Sequence, residues 1–263
     1  MSQPAPGPAA PVSYGGATVR DVGNADCDWD AFDSDSYFEH NYSQARRADV
    51  QIAGIIAQHF SGCHYPKGSR AIDVGAGANL YPALAMLPFV DTIDLSERAE
   101  SNRIWLQQQI KQPAPSWTDF WHVIRGGHRA YDDVVDFRQA LRRRARVEAG
   151  NVFTLPTGVY NLGTMFFVAE SITTMNKEFR RAVTSFVGAL KVRAPFAAAF
   201  MKDSSGYRVG GRDYPACPVD ESDVRRCFAD IAHDVRLDTI EDTEVRSGYA
   251  GMIVVTGRAG KKK

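Results

Sequence analysis

The stretch SRAIDVGAGANLYP, residues 69–82, constrains this chain more than any other. A short apolar β-type run meets Gly75 and Gly77 directly, and a helical stretch with Leu84, Met86 and Leu87 follows, which reads as strand, tight loop, helix. The alternation returns at once: FVDTID is β-rich and ends on Asp94, and SERAESNRIWLQQQI opens a helix at Ser96 with acidic residues in its first turn. Further along, VYNLGTMFFVAES, KEFRRAVTSFVGAL and RAPFAAAFMKDSS give strand, helix and strand, and DESDVRRCFADIA gives a helix capped by Asp220. The chain closes with two β-rich runs, VRLDTIEDTEV and YAGMIVVTGRA, joined by a turn near Ser247 and Gly248. Strands alternating with helices imply right-handed crossovers and a mostly parallel, doubly wound α/β sheet, and two closing strands with no helix between them imply an antiparallel edge.

Around this frame lie three segments of different character. Residues 1–20 are rich in Pro, Ala and Gly and are expected, with the terminal GKKK, to be mobile tails. Residues 26–43, aromatic and acidic at once, read as a lid leading into the helix RADVQIAGIIAQHF, the two together spanning 26–66. Residues 113–150 break the alternation as an insertion with a basic helix, whose arginines at 142–146 suit a solvated face. We expect residues 21–260 to form one domain.

Composition narrows the partners. Lysine and arginine together number 31 and so do aspartate and glutamate, so no overall positive field favours nucleic acid or an anionic membrane. Cys27, Cys63, Cys217 and Cys227 are scattered without a CxxC pair, which suits reduced thiols and no metal site. No signal-peptide pattern and no run of roughly 18 apolar residues occurs, so the expectation is a soluble, cytoplasmic monomer.

In a doubly wound sheet a ligand binds beyond the carboxyl ends of the strands, where the first loop needs glycines for close backbone approach. Gly75 and Gly77 meet that need, although two glycines also suit a plain turn. Asp94, about 20 residues on, reads as a carboxylate for the hydroxyls of a ribose, or as a cap for the helix that follows. The third glycine of a dinucleotide fingerprint would fall at Leu80, and its absence lowers the nicotinamide reading.

The segment Tyr37-Phe-Glu-His-Asn-Tyr42, then IDVGAGANLY, IDLSE, SWTDFW and KDSSGY, in that order, resemble the small-molecule methyltransferases typified by the nicotinamide, phenylethanolamine and thioether enzymes. The resemblance implies a seven-stranded sheet and S-adenosylmethionine as cofactor. By the same resemblance, Tyr37 and Tyr42 would close over cofactor and substrate, Tyr81 would bind the methionine carboxylate, and Asp73 with Gly75 and Gly77 would line the methionine. Asp94 would hold the ribose, Asn151 and Val152 the adenine, and Thr164 would lie near the sulfonium. Tyr37, Glu170 and Asp203 are the implied groups to orient the acceptor or take its proton, with Tyr207 and Tyr214 in the covering loop.

Departures fall on the acceptor side. The family's carboxylate at the end of the fifth strand is represented by Phe200 or, in a shifted alignment, Lys202. The asparagine expected five residues after Asp94 is Ala99, with Asn102 as its substitute in another helix register. Two other readings stay open: a catalytically silent cofactor-binding regulator, and an NAD-dependent oxidoreductase on the same sheet. The acceptor itself, and whether its nitrogen, oxygen or sulfur is methylated, is not written in these motifs.

Overall fold

The computed structural model of the chain describes residues 21–241 and 250–260. The expected tails at 1–20 and 261–263 and the turn near Ser247 and Gly248 lie outside the described residues. An N-terminal arm carries two short 3-10 turns, Asn24–Asp26 and Trp29–Ala31, then α1 (Ser34–Asn41), and leads into α2 (Arg47–Ser61). There follow β1 (Arg70–Val74), α3 (Tyr81–Met86), β2 (Thr92–Glu97), α4 (Glu100–Lys111), α5 (Ser116–Arg125), α6 (Phe137–Arg144) and β3 (Ala145–Ala149). The second half contains β4 (Leu162–Phe166), α7 (Asn176–Ala189), β5 (Pro195–Lys202), the hairpin β6 (Tyr207–Val209) and β7 (Arg212–Tyr214), α8 (Glu221–Phe228), β8 (Ala232–Ile240) and β9 (Gly251–Ala259).

Seven of these strands form one sheet in the order β3-β2-β1-β4-β5-β9-β8. Neighbours from β3 to β5 are parallel, and β9 runs antiparallel to both β5 and β8. The closing strand is thus antiparallel as expected, but it inserts between β5 and β8, one place in from the edge. Helices cover both faces, so the central strands carry unbroken apolar runs rather than an alternating pattern. One core joins Ile52, Ile56 and Phe60 of α2 and Leu84 of α3 to Trp117 and Phe120 of α5. The other joins Phe179 and Phe186 of α7 and Phe228 of α8 to Phe196 and Phe200 of β5.

Two boundaries differ from those read in the sequence, and both matter at the site. Strand β2 does not end on Asp94: it stays in register with β1 through Ser96 and with β3 through Glu97. Leu95, fully buried, continues the strand's inward pattern, and the helix begins only at Glu100, with Ala99 in the cap position and Ser96 still in the strand. The stretch 113–150 also completes the βα alternation, because its residues 145–149 are β3. As an edge strand mostly open to solvent, the sequence ARVEA has no apolar signature, which is why it read as the tail of a basic helix.

Candidate active site

Strand order reverses between β1 and β4, so the loops leaving those two strands part and open a crevice at their carboxyl ends. A cleft of about 940 Å³ lies there, at the upper end of the range for ligand pockets. Its floor is the β1 loop from Gly75 to Asn79, the end of β2 at Glu97, Gly150 to Val152 after β3, Phe166 to Val168 after β4 and Met201 of β5.

The glycine loop is a fitted cradle. Gly75 and Gly77 have φ of +65° and +55°, a region that side chains disfavour. A Cβ on Gly75 would stand 2.6 Å from Val168 Cγ2, whereas one on Gly77 would meet no protein atom closer than 3.6 Å and would project into the cleft that Gly77 lines. The Gly77 N–H donates to Glu97 Oε2 and the Ala99 N–H to Glu97 Oε1, each at 2.8 Å. Glu97 is therefore a fixed, buried carboxylate beside the glycines, and burial pushes its pKa up. Asn102 lines the same corner and accepts from the Ser34 hydroxyl at 2.7 Å.

Asp94 is corrected by this geometry. It sits mid-strand outside the cleft lining, where its Oδ2 takes the Arg70 guanidinium at 2.9 Å and the Tyr160 hydroxyl at 3.0 Å. Thr164 is likewise inside β4 and fully buried, not at the strand's end; it donates to Asp73 Oδ1 at 2.7 Å. Asp73 lies beneath the glycine loop with Oδ2 unpartnered among the described residues, and burial raises its pKa to about 7. The first residue after β4 to line the cleft is Phe167, held at a φ of +59°, a left-handed conformation that costs about 1–3 kcal/mol for a non-glycine residue.

Tyr42 and Tyr37 both line the cleft, but Tyr81 does not. Its ring is fully buried, stacked on Phe120 with centroids 5.1 Å apart. Arg46, at the start of α2, reaches the cleft instead. Asn151 and Val152 line the far end, and the Asn151 side chain accepts the Phe153 N–H at 3.0 Å.

The roof has two parts, the N-terminal arm and the β6–β7 hairpin. Trp29 stacks on Tyr214 at 5.5 Å and Tyr214 on Tyr207 at 5.4 Å, with Phe32 against both Tyr37 and Tyr214. Tyr214 thus binds the roof together and does not line the cleft, whereas Tyr207 lines it and donates its hydroxyl to the Ser171 carbonyl at 3.2 Å. Phe38 packs on Trp105 and Trp117 and holds α1 to the body.

On the β5 side the implied acids are both outside the cleft. Asp203 is exposed, with a φ of +53°. Glu170 is fully buried behind the wall, where Oε1 accepts the Met201 N–H at 2.9 Å and the Ser171 hydroxyl at 3.2 Å. Its Oε2 has no partner among the described residues, and burial pushes its pKa up to about 7. Phe200 packs in the core on the other face and Lys202 pairs with Glu221 at 2.8 Å, so by strand alternation Met201 is the β5 residue that faces the cleft. Sequence reasoning missed Glu97, Met201 and the hairpin; the apolar Leu95 just beyond Asp94 and the alternation of faces that any strand imposes on β5 were the available signals. Among the described residues no group of His, Cys, Asp and Glu could hold a metal ion, and no helix is long and apolar enough to cross a membrane.

By sequence, residues 24–259 match the profile of the NNMT/PNMT/TEMT family. No curated protein matches the chain significantly. Solved structures of similar fold include an S-adenosylmethionine-dependent methyltransferase from Methanosarcina mazei, with 11% identity and a TM-score of 0.54 over 80% of this chain and 98% of that one. Another is the 1,6-didemethyltoxoflavin N1-methyltransferase of Burkholderia thailandensis, bound to 1,6-didemethyltoxoflavin and S-adenosylhomocysteine, with 13% identity and a TM-score of 0.52 over 87% and 85%. The N-methyltransferase NodS of Bradyrhizobium japonicum, bound to S-adenosylhomocysteine, shares 10% identity with a TM-score of 0.50 over 86% and 92%. At these identities the likeness speaks to the fold.

Proposed function

The chain belongs to the NNMT/PNMT/TEMT family of methyltransferases, and from that premise we propose that its cleft binds S-adenosylmethionine and passes the methyl group to a small-molecule acceptor. The observation that carries the reading is the Glu97 carboxylate, held beside the Gly75–Gly77 turn at the end of β2 with both oxygens fixed by backbone N–H groups. Each oxygen keeps a lone pair for a ribose hydroxyl, the role that the sequence had suggested for Asp94. The bare Cα of Gly77 leaves room for the methionine chain, and Arg46 takes its carboxylate in place of Tyr81. Val152 N–H and Asn151 flank the adenine.

When bound, S-adenosylmethionine supplies a methyl carbon already activated by its sulfonium, so no enzyme nucleophile is required. What the chain must do is align the acceptor and exclude water. Tyr37, Tyr42 and Tyr207 close the space above the strand ends, and Glu170 positions it from behind by fixing the Met201 and Ser171 backbone and side chain. Residues 21–260 act as one domain in this reading. With equal numbers of acidic and basic residues, it works in this reading on a small molecule and not on nucleic acid; a cytoplasmic monomer belongs to the same proposal. Calorimetric titration with S-adenosylhomocysteine and, separately, NAD tests the proposal. Binding of the former alone supports it, and binding of NAD alone refutes it.

A further inference from the structure

Asn24, in the N-terminal arm, lines the cleft and is only 4% exposed, yet its side-chain amide makes no hydrogen bond to any described residue. Taking the chain as the methyltransferase proposed above, we infer that Asn24 reads the N6–N7 edge of the cofactor's adenine, across the base from Asn151 and Val152.

The backbone around this side chain is anchored on every side. The Asn24 N–H donates to Glu178 Oε2 at 2.8 Å, and the Asn24 carbonyl accepts the Trp29 indole N–H at 2.9 Å. Two residues earlier the Val22 N–H donates to Thr174 Oγ1 at 2.8 Å, and the Val22 carbonyl accepts the Thr173 hydroxyl at 2.9 Å. Between them the Gly23 N–H is taken by Asp26 at 2.8 Å. With both backbone groups of Asn24 engaged, its amide alone keeps hydrogen-bonding capacity. A buried amide left in that condition costs free energy, and a ligand group in the cleft relieves it.

Helix α7 determines which part of the cleft the amide serves. Glu178, in its first turn, holds Asn24. Three residues on, along the same helix face, the Arg181 guanidinium sits 4.5 Å over the ring of Phe153, the neighbour of Val152 in a 3-10 turn. Val152 and Ile172 both line the cleft and share one apolar cluster, and Thr173, beside Ile172, is the residue bonded to Val22. Asn24 therefore stands at the end assigned to the adenine, where Val152 and Ile172 offer apolar surface to the base. An adenine presents the N7 acceptor beside the N6 amino donor, and an asparagine amide meets the two together. N6 carries two protons. The one on the N1 side suits Asn151 Oδ1, which keeps a lone pair after accepting the Phe153 N–H. The one on the N7 side suits Asn24 Oδ1, with Asn24 Nδ2 donating to N7. The base is thus bracketed by the sheet on one edge and by the arm on the other.

The test is calorimetric titration of the full chain with S-adenosylhomocysteine and with its 7-deaza analogue, in which a C–H replaces the N7 acceptor. The parent is expected to bind the 7-deaza compound about three- to tenfold more weakly. Asn24→Ala should raise Kd for S-adenosylhomocysteine about tenfold and bring the two ligands within about twofold of each other. Asn24→Asp keeps the size of the side chain and an oxygen for the N6 proton but sets a second acceptor against N7, so the 7-deaza compound should become the tighter ligand. This isosteric variant carries the test where alanine disturbs the arm. A parent that binds both ligands alike overturns the inference. So does an Asn24→Ala protein that weakens both by one factor, the mark of an arm merely loosened, or an Asn24→Asp protein that keeps the parent's preference. In each of these cases S-adenosylhomocysteine still binds the parent and the methyltransferase reading stands; failure of the parent to bind it removes that reading and this inference together.

Discussion

Exchanging Glu97 for glutamine tests the cofactor site most sharply. Both carboxylate oxygens already accept backbone N–H groups, from Gly77 and Ala99, at 2.8 Å each. Whichever way the new amide turns, its NH2 faces one of those N–H groups, so the glycine turn or the helix start loses an acceptor. The ribose hydroxyls lose their charged partner too, and hydrogen bonds to charged groups contribute about 1.5–3 kcal/mol. Calorimetric titration with S-adenosylhomocysteine should therefore show Kd rising by about 10- to 150-fold. Asp94→Asn is the matched control. Asp94 serves Arg70 and Tyr160 inside the sheet, so its replacement should lower thermal stability while leaving Kd within about twofold. A Glu97→Gln protein that binds like the parent, beside an Asp94→Asn protein that loses about tenfold, would refute the reasoning and return the ribose to Asp94.

The buried Glu170 makes stability depend on pH. Its carboxyl titrates near 7 in the fold against an ordinary value of 4.5, so between those values the folded chain keeps a proton that the unfolded chain has lost. The stability this contributes is full below about pH 4.5 and is lost as pH rises through 7. In urea unfolding, Glu170→Gln should gain on the parent by on the order of 3 kcal/mol between pH 4.5 and 8, and parallel curves would sink the assignment. Gly75→Ala should destabilise the fold through the strain at φ +65° and the clash with Val168 at 2.6 Å, whereas Gly77→Ala adds only the strain at φ +55° and should cost less thermal stability while weakening cofactor binding; equal loss in both assays would make Gly77 a plain turn. Trp29→Ala removes the stack on Tyr214, so amides from Asn24 to Phe32 should exchange faster in hydrogen-exchange mass spectrometry and KM for the acceptor should rise, and unchanged exchange would dissociate the arm from the hairpin.

What was legible in the sequence was whatever the backbone itself demands. Two glycines after a buried strand announce left-handed turns, and the structure has them at Gly75 and Gly77. What was illegible turned on a shift of one to three residues or on exposure. Ending β2 at Asp94 instead of Glu97 moved the carboxylate from the cleft into an ion pair with Arg70. Weighing Phe200 and Lys202 passed over Met201 between them, because side chains along a strand alternate faces and only every second residue of β5 can look into the cleft. Edge strand β3 hid in an arginine-rich run, since an exposed strand needs no apolar residues. The hairpin β6–β7 hid because each of its strands is three residues long.

The N-terminal arm shows how an acidic, aromatic segment can be held in place. Its aspartates suggested a lid too costly to bury for good, yet most of them end elements at the surface. Asp26 accepts the Gly23 N–H at 2.8 Å, Asp33 caps α1 through the Ser36 N–H at 2.9 Å, and Asp30 accepts the Glu100 N–H at 2.7 Å at the start of α4. The last of these places a negative charge at a helix N-terminus, where the macrodipole favours it. Asp28 pairs with Arg212 of the hairpin at 3.7 Å, across an exposed gap that screening makes weak. The arm is therefore tied firmly to α4 by buried or backbone-directed bonds, including Ser34 to Asn102, and to the hairpin mainly by ring stacking. Opening of the roof, where it occurs, should part the seam between Trp29 and Tyr214 before it lifts the arm from α4, because stacked rings slide at less cost than a helix-capping carboxylate is withdrawn.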